Sequence, residues 1–152
     1  IAVIGIVGAI SAIDVGTMMR KGQIDKQARE IHSDLVGLRI EAMQKKQRSA
    51  AFLGPNQIVF KRYSSNAENI LTGGTTMLTK NLPNEIRRLS DMSTPLDVAA
   101  DRVEYDTRGY TNNNITLVIL PVTINSGDNC ILVTTARTNL GRMTDASTCT
   151  AH

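Results

Sequence analysis

The sequence has no tryptophan, and only five of its 152 residues are aromatic: Phe52, Phe60, Tyr63, Tyr105 and Tyr110. Single-stranded nucleic acid is held largely by base stacking, so a stacking platform is poorly supplied. Histidine is nearly absent too. His32 falls mid-helix near a polar flank, and His152 is the last residue given. Cys130 and Cys149 are the whole cysteine complement, with no CxxC pair or Cys/His cluster of metal-site spacing. GxSxG, P-loop, HExxH and GxGxxG patterns are all missing. Gly73, Gly74, Thr75 and Thr76 read as a turn, with no lysine at phosphate-loop spacing. Asp101, Glu104 and Asp106 are the nearest approach to a carboxylate cluster, and solvent-facing strand charge accounts for them better. The expectation is a protein with no catalytic residues, metal, cofactor or small-molecule substrate. Seventeen Lys and Arg against fourteen Asp and Glu leave a net charge of +3, mild and scattered. That permits contact with nucleic acid or anionic lipid without arguing for either.

Proline is absent before Pro55, and the chain up to about residue 47 reads as one unbroken helix. It opens with the uncharged run IAVIGIVGAISAI, residues 1–13. Gly5, Gly8 and Ser11 recur there in steps of three, a spacing that lets helix backbones approach closely. Further on, Ile24, Ala28, Ile31, Leu35, Leu38 and Ala42 alternate steps of four and three, which places them on one helical stripe. Asp25, Lys26, Arg29, Glu30, Arg39 and Glu41 fall largely off it. The helix is thus apolar all round at its start and amphipathic at its end. The first part calls for lipid or other apolar helices, the second for a globular face. Thirteen helical residues reach only about 20 Å, whereas a bilayer core takes about 30 Å.

From Ala50 the pattern changes to strands. Residues 58–63 alternate after a turn at Gly54, Pro55 and Asn56, and further strands are expected over 77–82, 86–89, 115–124 and 130–136, with 102–110 a strand running into a turn at Arg108 and Gly109. The tail TNLGRMTDASTCTAH reads as turns. Helix first and strands afterwards imply an α+β fold with an antiparallel sheet on the stripe. Residues 1–23 form the apolar helix, and 24–152 the head. The cysteines are either two buried thiols or one disulfide closing about twenty residues, worth about 3 kcal/mol in the loop-entropy picture. The apolar start suggests export to an oxidising space, which favours the disulfide.

Two stretches in tandem carry a family resemblance. The opening run resembles the inner part of the type IV pilin helix, written in many members VIAIIGILAAIAIP. AREIHSDLVGLRIEAMQKKQ, residues 28–47, is similar to the second helical signature of the GspH/FimT minor pilins and pseudopilins, approximately ARELxSDLxxARxEAIxRxQ. RVEYDTRGY, residues 102–110, resembles that group's ITFDPRGR strand-turn, and LGRM, residues 140–143, its late TGRV-type turn. The resemblance implies a subunit of a type IV pilus or type II secretion pseudopilus in the bacterial envelope. Its helix would sit in the inner membrane before assembly and then pack against copies of itself or other pilins. Ile1, Val3, Ile4, Gly5, Ile6, Val7, Gly8, Ile10 and Ile13 would form that helix core. Aligning Gly5 with the family's helix glycine implies about nine further residues upstream, including a glutamate behind a short basic leader. The total then reaches roughly 22, enough to span a bilayer. The alternative is a pilin that captures DNA through Lys61, Arg62, Arg137 and Arg142. Here the sequence departs from the family's GRxR-like pattern, because Gly141 and Arg142 are followed by Met143 and Thr144.

Overall fold

The computed structural model describes residues 2–124 and 127–152, except the side chains of residues 2–15. Helix α1, Ala2–Lys45, is unbroken, ending two residues before the expected limit near residue 47. It stops where Lys46 takes a left-handed conformation, φ 54°, the geometry glycine usually supplies at a helix C-terminus. Gln47 N–H then donates to Ala42 O at 3.2 Å.

Among the described residues nine strands follow: β1 Ser49–Leu53, β2 Gln57–Arg62, β3 Thr75–Asn81, β4 Ile86–Arg88, β5 Arg102–Tyr105, β6 Ile115–Ile119, β7 Cys130–Val133, β8 Thr138–Met143 and β9 Cys149–Ala151. The single sheet expected from the sequence is two sheets, ordered β3-β2-β1-β5 and β4-β6-β7-β8-β9, with every pairing antiparallel. The stripe residues Ile24, Ala28, Ile31, Leu35, Leu38 and Ala42 are all buried, in one core with Leu53, Ile58, Phe60, Val103, Leu117 and Ile131. One helix face thus serves both sheets, because the two inner faces contribute to the same cluster.

The tail departs from expectation. LGRM lies in β8 rather than in a turn, and CTA forms β9 on its edge. Alternation is weak there, and pairing with β7 decides the conformation. Cys130 and Cys149 are joined in a disulfide on the face of the second sheet away from α1, beside Val118 and Met143. A Cβ on Gly141 would lie 2.8 Å from Cys149 Sγ and 2.8 Å from Thr150 O, so the glycine serves close packing here. β6 ends at Ile119, five residues short of the expected limit, because Pro121 cannot donate to a ladder.

The strand-turn RVEYDTRGY docks on the helix signature. Asp106 accepts from Arg108 N at 2.8 Å and Tyr110 N at 2.9 Å, and Arg39 Nε donates to Gly109 O at 2.8 Å. Gly109 has φ +80°, and a Cβ there would meet Met43 Cγ and Sδ at 2.8 Å. Gly109→Ala is therefore expected to destabilise the head by about 1–3 kcal/mol, combining left-handed strain with the clash. Urea denaturation measures it, and an unchanged midpoint would contradict the account.

Candidate functional site

The surface with most to do lies along α1. Residues 16–23 are exposed on every side, and among the described side chains the first buried one is Ile24. Met18 and Met19 are 74% and 64% exposed. A Cβ added at Gly16 or Gly22 would meet nothing within 4 Å. The helix therefore projects beyond its own head. The core positions expected at Ile1, Val3, Ile4, Gly5, Ile6, Val7, Gly8, Ile10 and Ile13 lie outside the described residues. Among the described residues, no helix is long and apolar enough to cross a membrane.

Where α1 enters the head, polar groups fasten it. Gln27, buried at 3%, donates to Asn84 O at 2.8 Å and accepts from Asn84 N at 2.9 Å and Nδ2 at 3.0 Å. Sequence reading passed over Gln27 because it sits one step off the apolar stripe. Its position beside Ala28 was the available signal. Asp25 accepts from Asp128 N at 2.8 Å, and Arg29 reaches both Asp25, at 3.0 Å, and Asp128, at 2.9 Å. His152 Nε2 lies 2.8 Å from the other oxygen of Asp128. His32 Nε2 donates to Thr138 O at 2.9 Å and so ties α1 to β8. It is a boundary histidine with a structural partner.

Several carboxylates are held below their usual range. Burial works to raise Asp25, but it is outweighed by the hydrogen bond from Arg29, the Asp128 N–H and the charges of Arg29 and Arg142. Glu68 is lowered by donation from the Ser64 hydroxyl and the Gly74 N–H, which closes the 64–74 loop around it. Asp91 is lowered to about 2 by Ser93 and Thr94. A carboxylate depressed by folding adds stability above its ordinary pKa and loses it as pH falls through the folded value. Stability is therefore expected to be level down to about pH 4 and to fall from there toward the Asp91 value of about 2. A denaturation midpoint that stays constant across this interval would contradict the assignment.

The remaining candidates do not converge. Lys61 projects from the sheet face away from α1, its Nζ 5.0 Å from the centre of the Phe52 ring. Arg62 turns to the helix side and pairs with Glu41 at 3.2 Å. Arg137 sits in the β7–β8 turn, and Arg142 on β8 stands in the field of Asp25. The four cations thus divide between two sheets, and two of them have acidic partners nearby. The carboxylates disperse as well: Asp101 pairs with Arg88, Glu104 with Arg102, and Asp106 caps its turn. No group of His, Cys, Asp or Glu among the described residues could hold a metal ion.

A long helix, clasped by antiparallel sheets from Ile24 onward and exposed over residues 16–23, defines a pilin-like α+β fold. The type IV minor pilin FimU of Pseudomonas aeruginosa is similar, with a TM-score of 0.58 at 12% identity over 88% of this chain and 96% of its own. The minor pseudopilin EpsH from the type 2 secretion system of Vibrio cholerae has a TM-score of 0.56 at 13% identity, over 78% of this chain and 94% of its own. No protein-family model and no curated protein matches the sequence itself.

Proposed function

We propose that the chain is a structural subunit of a helical filament, of the type IV pilus or type II secretion pseudopilus class. The observation that carries this reading is α1 projecting exposed over residues 16–23, between the buried stripe and the apolar run. The exposed stretch leads from the head to the uncharged run, and an uncharged run of that length calls for an apolar partner. Residues 1–23 are then the filament-core helix and 24–152 the head. The run at 1–13 is then part of the helix that holds the chain in the inner membrane before assembly. On assembly it exchanges lipid for the helices of its own copies or of other pilins. No catalytic, metal or cofactor role is assigned. The similarity to FimU and EpsH supports this reading at the level of fold.

Removing residues 1–16 tests it. The shortened chain is expected to be a soluble monomer by sedimentation, whereas the full chain partitions to membranes and associates. Polymerisation of the shortened chain would defeat the proposal, because the helix would not then be the filament core.

A further inference from the structure

The head carries two outermost strand edges, β3 in one sheet and β9 in the other. The two inner edges are closed off. β4 has three residues, its Ile86 N–H donates to Pro55 O at 2.7 Å, and Arg88 bridges to Asp91. β5 turns toward the second sheet, with Arg88 paired to Asp101 at its start and Arg102 lining the same cleft as Ile115. Its Arg102–Glu104 pair adds charge to that edge.

β3 is unlike them. It has seven residues, exposed from Thr75 through Thr79. Its one charge, Lys80, is neutralised by Asp34 at 2.6 Å and Glu30 at 3.4 Å. A register shift against β2 leaves Met77 as the extra residue. Met77 and Leu78 then wall a groove of about 220 Å³ floored by Gly37, Leu38 and Phe60. A long, uncharged edge with apolar side chains is a template for another strand.

Direction and height identify the strand. Glu41 meets Arg62, which stands opposite Thr75 at the start of β3, while Asp34 meets Lys80 near its end. β3 therefore runs against α1. On the other flank His32 meets Thr138 at the start of β8, and Gly141 near its end accepts from Asn129 N, next to the Asp128 that donates to Asp25, so β8 also runs against α1. β9 pairs antiparallel with β8 and hence runs along α1. A neighbouring copy whose helix points the same way thus presents β9 antiparallel to β3. Two β3 edges paired about a twofold axis would point their helices in opposite directions, which a shared membrane forbids.

We propose that the β3 edge receives the β9 edge, Cys149–Ala151, of a second copy standing in the same orientation. This rests on the filament reading, which is what sets neighbouring helices parallel. β9 is uncharged, Thr150 and Ala151 are exposed, and Cys149 is anchored to Cys130. β9 stands lower along α1 than β3: His152, which follows it, meets Asp128, whose N–H donates to Asp25, whereas β3 lies between Asp34 and Glu41. The contact therefore staggers the copies by about ten helical residues, roughly 15 Å. Repeated, a staggered head-to-tail contact builds an open helix rather than a closed ring.

The test uses two full-length variants, Thr79→Cys and Ala151→Cys, co-produced in one membrane and oxidised. Both positions lie on the sheet faces away from α1. Energy transfer between labelled copies measures association independently. Association is expected with a 79–151 disulfide-linked dimer, mapped by non-reduced peptides to separate it from Cys130–Cys149. The dimer should require both variants and be lost when Leu78→Lys is added to the first. Association without that dimer, or a dimer indifferent to Leu78→Lys, overturns the β3–β9 contact and leaves the filament reading standing. No association at all overturns both.

Discussion

Val7→Asp in the full-length chain is expected to abolish membrane retention and filament assembly while the head stays folded. The reasoning starts from the uncharged run at residues 1–13. An aspartate at the centre of a membrane helix costs about 2.5–3.5 kcal/mol on insertion scales, and an isoleucine-class side chain withdrawn from water is worth about 1.5–3 kcal/mol. The substitution reverses the second effect and adds the first at every subunit. The head should not register the change, because burial in the described chain begins at Ile24. Fractionation, pelleting and thermal denaturation of one preparation read all three outcomes. Normal assembly of the variant would remove α1 from the filament core. Unfolding of the head would show that the two parts of α1 are not independent.

Leu35→Ala should have the converse effect, unfolding the head by about 2–5 kcal/mol through lost burial and the cavity left behind. Leu35 is fully buried at the middle of the stripe, where both sheets meet α1. Small domains have about 5–15 kcal/mol in total, so the loss is a large share. Gly37, two residues on, supplies the contrast. A Cβ there meets nothing within 4 Å, and Gly37→Ala is expected to raise stability by up to about 1 kcal/mol through helix propensity alone. Urea midpoints of the two variants should move in opposite directions. A Leu35→Ala midpoint near that of the parent would mean that the stripe does not carry the core.

Helix periodicity is a local property, and it was readable. Steps of three and four residues set which side chains share a face whatever the rest of the chain does, so the stripe from Ile24 to Ala42 could be drawn before any strand was located. The absence of proline before Pro55 allowed the helix, and the chemistry missing from the composition left no catalytic arrangement to look for. Between two buried thiols and one disulfide, the oxidising space suggested by the apolar run favoured the disulfide, and the fold brings Cys130 and Cys149 together in one.

Non-local contacts decided the rest. One sheet or two depends on which edges meet across the helix, and no residue pattern in β5 or β4 states that. β8 acquires strand geometry from β7, and β9 in turn from β8, because strand preference is largely a matter of neighbours across the sheet, so TNLGRM looked like turns when read alone. Gln27 matters through Asn84, fifty-seven residues away, and helical spacing carries no information about such a partner. The four cations could be named from sequence, but their separation onto two sheets is a fact of the fold. So is the clear edge of β3, since an edge exists only once the rest of the sheet is in place. Local sequence determined the helix and its buried face; the tertiary structure decided which strand edges and surfaces were left exposed.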